Sequence, residues 1–284
     1  MKSTIGIIGL GLIGGSFAKA LRARTSARVL AFDIDPEVTV AALTDGSITG
    51  VLGSEDLPEC DFVIIALRPN DALDWFLRYA DKLAPNTIVF DVAGVKRIVS
   101  KQMEPTAAHY GLRFISAHPM AGYHEGGYSN ASEDMFDGAS FIICDEDIDD
   151  VTLDELKKLI YRIGFDQVIF TSADNHDDMI AFTSQLAHIV SSAFVKDPAA
   201  QTHAGYSAGS FQDMTRVAIL DPEMWSELCV ENADKLIEHL DILSENLAHY
   251  RAALEARDSN RMTELFRDGV EAKRRSMGTP PSHP

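Results

Sequence analysis

Residues 3–24, STIGIIGLGLIGGSFAKALRAR, decide the fold. The opening TIGII is apolar and rich in β-branched residues, the pattern of a strand buried on both faces. From Phe17 to Arg24 the residues favour helix. Between them stands Gly9-Leu10-Gly11-Leu12-Ile13-Gly14. A G-x-G-x-x-G run is informative only where it follows a strand and opens a helix, and here it does both. Gly9 then makes the tight turn, Gly11 lets the backbone approach a pyrophosphate, and Gly14 lets the helix pack on the strand. Leu10, Leu12 and Ile13 supply the rest of the cradle, with the helix N-terminus facing the phosphates. The alternative is a set of turn glycines in an unrelated α/β protein.

The pattern continues outward from this unit. ARVLAFDID (27–35) is a second strand, ending in Asp33, 19 residues beyond Gly14. An acid at that place hydrogen-bonds ribose hydroxyls and repels a 2′-phosphate, which favours NAD over NADP. No arginine follows Asp33 to reverse that choice. PEVTVAALTDG (36–46) is a helix with proline at its start and glycine at its end. CDFVIIALRPND (60–71) is a third strand leading into a helix that runs to about Leu83. Arg68 in that connection lies either beside the cofactor or in solvent. NTIVFDVAGVK (86–96), a short strand at 113–116, ASFIICDE (139–146) and FDQVIFT (165–171) complete the strands, with an amphipathic helix at 151–164. Apolar strands alternating with helices predict a parallel sheet covered on both faces.

After about Ser172 no strand pattern recurs. Residues 174–195, 223–256 and 259–275 are helical in period and composition. The expected architecture is α/β: a Rossmann-type dinucleotide-binding domain over 1–172, then an all-helical domain over 173–284. The long second helical segment is a candidate for subunit contacts, and SMGTPPSHP (276–284) reads as a disordered tail.

Composition narrows the function. The net charge is -18, which disfavours a nucleic-acid partner. An anionic ligand must then be held by locally placed cations. Cys60, Cys144 and Cys229 show no CxxC spacing, so neither a disulfide framework nor a zinc site is expected. His, Cys and acidic residues show no metal-ligand spacing either. No run of 18 apolar residues is present, so no membrane span is expected and cytoplasm is the natural compartment.

SAHPMAGYHEGG (116–127) is the other unusual stretch. Proline biases the residue before it away from helix, and glycines allow close approach of a ligand. Hydride chemistry at a nicotinamide requires the protein to orient a substrate and handle a proton. His118, with a side chain that titrates near neutrality and a position just after a sheet strand, is a candidate for that proton. The competing reading is a structural histidine in a turn.

Taken together, GLGLIGGSFAKAL, SAHPMAG, HDDMIAFTSQLAH and SFQDMTRVAILDPEMWSELCVENAD resemble the prephenate/arogenate dehydrogenase family of tyrosine biosynthesis over nearly the whole chain. The resemblance implies a dinucleotide-binding domain, a helical domain that forms a homodimer, and an active site between them. It implies NAD-dependent oxidative decarboxylation of prephenate: hydride leaves the ring carbon bearing the hydroxyl, carbon dioxide departs, and the ring becomes aromatic. His118 matches the catalytic histidine, accepting a hydrogen bond from the ring hydroxyl. Arg216 matches the arginine that binds a substrate carboxylate, which a planar guanidinium grips through two hydrogen bonds. Asp213, three residues earlier, is either a gating partner or a surface acid. His188 matches the second histidine of S-H-L-P-H and shares a helix face with Ala181, Gln185 and Ser192, a face that suits a cleft lining. His176, beside Asp177, is expected to order the start of its helix rather than touch substrate, and Trp225 to pack.

The sequence also departs from the family pattern. Gly94 stands where D-x-x-S-V-K has its serine, Gln185 replaces the first histidine of S-H-L-P-H, Ala187 its proline, and Gln212 the arginine of F-R-D. His124 occupies a position where an acid is common, next to Glu125. Lys96, kept from the loop, is either near the ligands or on the surface. These changes leave the hydride route intact and keep arogenate open as the substrate. Other readings are a different two-domain reductase, which would lack HPMAG, and a non-catalytic NAD-binding sensor.

Overall fold

The computed structural model describes residues 3–123, 125–145 and 148–278. Its frame is one eight-stranded sheet of order β3-β2-β1-β4-β5-β6-β7-β8. The strands are β1 (Thr4–Ile8), β2 (Arg28–Phe32), β3 (Gly50–Val51), β4 (Phe62–Ile65), β5 (Ile88–Asp91), β6 (Arg113–Pro119), β7 (Ser140–Ile143) and β8 (Gln167–Phe170). The sheet helices are α1 (Leu12–Arg24), α2 (Pro36–Thr44), α3 (Pro69–Tyr79), α4 (Arg97–Tyr110) and α5 (Asp150–Arg162). Their starts are encoded locally. Asp35 caps α2 with Pro36 behind it, and Asp149 caps α5 through the amides of Val151 and Thr152.

Both faces of the sheet are dry. On one, Phe17 of α1 meets Phe90, Phe136 and Phe165, and Leu156 and Ile160 of α5 close the layer. On the other, Val63 and Ile65 pack beneath Phe76 of α3 and Val99 and Met103 of α4. Burial on both sides is why β1, β4 and β5 are continuous apolar runs rather than alternating ones.

Three details differ from the sequence expectation. The sheet is not wholly parallel: β6 pairs antiparallel with β7, while β7 pairs parallel with β8. The strand expected to end at residue 116 continues to Pro119, so His118 lies in β6 opposite Ile142 rather than after it. The two-residue β3 escaped notice because Gly50–Val51 is too short to show a period.

Beyond the sheet the chain is helical, with α6 (Ala173–Ile180), a π-helical turn at Ala181–Gln185, α7 (Leu186–Phe194), α8 (Gly209–Thr215), α9 (Pro222–Glu231), α10 (Ala233–Glu255) and α11 (Ser259–Ser276). The segment expected as one helix over 223–256 is two, because Asn232 leaves helical geometry at φ -118°, ψ 26°. By compactness the chain divides into Met1–Ala233 and Asp234–Pro284. The second unit is a helical hairpin, turned at Arg257 with φ 52° and recapped by Asp258, in which the Tyr250 ring meets Phe266. Residues 279–284 of the tail lie outside the described residues.

The glycine turn is held by contact, not only by freedom of φ. Gly9 sits at φ +88°, where a Cβ would come within 2.5 Å of the Ala66 carbonyl oxygen. A Cβ on Gly14 would lie 1.9 Å from the Gly9 carbonyl oxygen. Gly14→Ala is therefore expected to cost about 1–3 kcal/mol in urea unfolding and to weaken NAD binding; unchanged stability would refute the contact.

Candidate active site

The C-terminal ends of β1 and β4 form the point where strand order reverses, and there a crevice opens. Gly11 caps α1 from an extended conformation, and a Cβ added to it would meet nothing within 4 Å, so the open side of the turn is free for a ligand. Asp33, at the end of β2, accepts from the Leu10 amide at 2.7 Å and from the Asp35 amide at 2.9 Å. Each carboxylate oxygen keeps a further lone pair for a ribose hydroxyl. A cavity of about 590 Å³ adjoins, lined among others by Gly9, Asp33, Ile34, Asp71, Asp74 and Arg78. Arg78 on α3 is a cation that shares this lining with three acids. These residues fit a dinucleotide: a turn without side chains at the phosphates, a helix N-terminus, and an acid at the ribose. A second cavity, about 530 Å³, lies at the opposite strand ends beside Asp61, Thr87 and Arg113, away from this crevice.

His118 lies on β6, three strands across the sheet from β1, which carries the glycine turn. From β1 to β6 is three strand spacings, or about 14 Å. Its Nδ1 is 2.9 Å from Nε2 of His176, whose own Nδ1 is 2.8 Å from Oδ1 of Asp177. Asp177 also accepts from the backbone amides of Lys96 at 2.8 Å and Arg97 at 2.9 Å, where α4 begins, and from Arg97 Nε at 3.3 Å. Burial penalises the Asp177 carboxylate, but the bonds from His176, Arg97 and Lys96 outweigh it and hold its pKa below the usual range. Burial, then His176, then Lys96, hold the pKa of partly buried His118 well below that of an ordinary imidazole. His176, 2% exposed, is also lowered, chiefly by burial.

Lys96 is not a surface lysine. It is fully buried, ion-paired to Asp91 at the end of β5, and donates to the Ala117 carbonyl at 2.6 Å. It thus clamps the backbone one residue before His118. Cys144, nearby, is an inert thiol, pushed by burial up to about 12.

The helices after the sheet meet these elements at α9. Arg68, the residue before α3, pairs with Asp221, the cap of α9, at 3.0 Å. Both are largely exposed, so the pair orients more than it stabilises. The Asn70 amide donates to Glu227 at 2.8 Å. A Cβ on Gly94 would be 3.2 Å from Leu228 Cδ2, so a larger residue there requires Leu228 to yield. The expectation of an open polar face at Ala181 and Gln185 does not hold, because both are buried. Gln185 ends the π turn, donates to the Leu228 carbonyl at 2.9 Å and accepts from Asn232 Nδ2 at 2.9 Å. Asn232, also buried, bonds the Asp177 carbonyl at 2.7 Å and accepts from Arg97 at 3.0 Å. His188 is partly exposed, donates through Nδ1 to the Ser184 carbonyl at 2.9 Å, and stacks on Trp225 at 3.7 Å. Arg216 is exposed at the end of α8, whose Phe211 packs against Phe194 of α7, and Asp213 is exposed too. His124 lies outside the described residues.

Residues 17–168 match the family model "Prephenate dehydrogenase, nucleotide-binding domain", and residues 172–268 match "Prephenate dehydrogenase, dimerization domain". The chain belongs to the prephenate dehydrogenase family. These are NAD-dependent oxidoreductases. A curated relative, the prephenate dehydrogenase of Bacillus subtilis, is 29% identical over 97% of this chain and 78% of its own length. The cyclohexadienyl dehydrogenase of Zymomonas mobilis is 27% identical over 95% of this chain and 94% of its own. Among solved structures, a prephenate dehydrogenase from A. aeolicus in complex with hydroxyphenyl propionate and NAD+ matches with TM-score 0.81 and 25% identity, covering 98% of this chain and 99% of the other.

Family membership and geometry separate what the sequence reading found from what it missed. Asn232 is a member of the cluster around His118 that the sequence did not single out, and the direct bond of His176 to His118 was not expected either. The available signal was the His-Asp pair at 176–177 together with the final asparagine of PEMWSELCVEN. Two imidazoles whose pKa values are lowered have a measurable consequence. The unfolded chain protonates them near 6.5 whereas the folded chain resists, so stability should fall as pH drops below 6.5. A urea midpoint that stays flat from pH 7 to about 5 would contradict this. At the crevice, Asp33→Asn is expected to narrow the ratio of NADP to NAD dissociation constants, read by titration.

Proposed function

We propose that the chain is a prephenate dehydrogenase that uses NAD, converting prephenate to 4-hydroxyphenylpyruvate and carbon dioxide in tyrosine biosynthesis. The observation that carries this reading is His118, kept uncharged chiefly by burial, hydrogen-bonded to His176 on β6 and standing on the same sheet edge as the glycine crevice. Bound NAD supplies the hydride acceptor. The work of the chain is then to hold the dinucleotide and handle the proton. Gly9, Leu10, Gly11, Leu12, Ile13 and Gly14 cradle the phosphates, and Asp33 takes the ribose. His118 accepts the hydrogen bond of the ring hydroxyl and removes its proton as the carbonyl forms. A base so placed contributes ~10²–10⁴-fold.

Arg216 takes a substrate carboxylate, a local cation in a protein of net charge -18. His188, fixed by Ser184 and Trp225, forms a polar wall. Gln185 acts through α9 rather than on substrate, and Arg68 through its pair with Asp221. The substrate part of the chain starts near residue 172, where one family match ends and the other begins. A homodimer is supported by the dimerization-domain match and by exposed Ile237, Ile242, Leu247, Leu254 and Phe266 in the helical hairpin. Among the described residues no helix is long and apolar enough to cross a membrane, in keeping with a cytoplasmic enzyme.

The likeness to a cyclohexadienyl dehydrogenase favours one second reading, that arogenate is also used. Arogenate carries an amino group where prephenate has a keto group and needs an acid near its side chain; exposed Asp213 and Glu125 are the candidates. The test is NADH formation by purified protein with NAD and either prephenate or arogenate, with NADP as control. Prephenate turnover is expected, and His118→Asn should lower kcat by ~10²–10⁴-fold while NAD affinity holds. Full turnover by His118→Asn would overturn the role of His118; turnover of neither compound would overturn the function.

A further inference from the structure

The bonds around His118 fix more than its position. The Asp177 carboxylate accepts hydrogen bonds and is held in its charged form by two backbone amides, Arg97 Nε and His176. A carboxylate has no proton to give. The His176 Nδ1 that stands 2.8 Å from it must therefore carry a hydrogen. His176 is buried and neutral, so its Nε2 is left with a lone pair. The His118 Nδ1 facing that lone pair at 2.9 Å is then the donor. Neutral His118 is left with a bare Nε2.

We infer that His176 and Asp177 are positioning residues that lock His118 into the tautomer with its proton on Nδ1, so that Nε2 is always ready to accept a proton. Free imidazole side chains in water favour the opposite tautomer, which would present an N–H to the substrate hydroxyl. Without the relay the base would spend most of its time in the wrong form. The relay does a second thing. When His118 takes a proton, the new cation lies two hydrogen bonds from Asp177, and no water has to reorganise around it. The other charged groups packed around the imidazoles are already neutralised in pairs, Lys96 by Asp91 and Arg97 by Asp177. They set the local field without competing for the proton. The aspartate itself is anchored where α4 begins, so its orientation is as rigid as the sheet–helix junction.

This inference rests on His118 as the base but is tested without substrate. In ¹⁵N-edited NMR of the full-length protein, with His118 signals assigned by their loss in His118→Asn, the wild type should show a protonated Nδ1 and a bare Nε2. His176→Phe keeps the ring volume and removes the acceptor. It should shift His118 toward the Nε2-protonated form and lower kcat at least tenfold, with little change in the KM for prephenate. His176→Gln places an oxygen where Nε2 was and should restore the wild-type His118 pattern and part of the lost kcat. A wild-type His118 protonated on Nε2 would overturn the inference. So would a His176→Phe protein that keeps both the pattern and kcat. If His176→Phe does not fold, the wild-type spectrum and His176→Gln decide alone. If neither prephenate nor arogenate is turned over, the tautomer is still read and the two ideas fail separately.

Discussion

A buried carboxylate with every oxygen occupied holds the site together. Asp177 is 1% exposed, a placement that costs several kcal/mol for an unpaired charge. It is tolerated because donors arrive from two directions: the amides opening α4 and the imidazole of its own neighbour, His176. One interaction therefore joins the start of α4, which supplies Lys96 and Arg97, to the first helix after the sheet, which supplies Asp177. Asn232 extends the joint to α9 by bonding the Asp177 carbonyl, Gln185 and Arg97 at once. Loss of any member leaves a buried polar group unmatched, so the cluster stands or falls as a unit.

The second buried pair serves the same end from the sheet side. Lys96 and Asp91 are both fully buried, and such pairs rarely raise stability over apolar packing. Their value is in placement. Through its bond to Ala117, Lys96 fixes the backbone from which His118 projects. Its positive potential adds to burial and to His176 in lowering the pKa of His118. The switch of strand direction between β6 and β7 has a related effect. β6 runs past the end of β5, since Asp91 pairs with Ser116, and its overhang pairs with β7. His118 occupies that overhang, supported by ladder bonds yet clear of the parallel sheet.

Gly94 and Gln185, which depart from the family pattern, meet on α9. Leu228 lies against the Cβ position of Gly94, and its carbonyl receives the Gln185 amide. The two departures concern one contact region, the packing against Leu228 of α9.

The sequence by itself determined the nucleotide half. Strand, glycine turn, helix and acid are separated by a few residues, and their roles follow from local geometry: Gly9 and Gly14 have no room for a Cβ, and Asp33 ends the next strand. The alternation of buried strands and helices was legible for the same reason, since burial on both faces leaves its mark within each segment. His118 was legible as a candidate through its proline and glycines. What holds its imidazole in place was not, because His176 is 58 residues away and Asn232 55 residues beyond Asp177. The antiparallel turn of β7, the π turn that aims Gln185 inward and the burial of Lys96 belong to the same class. Each depends on which distant groups arrive to satisfy a hydrogen bond or a charge, and only the tertiary structure decides that.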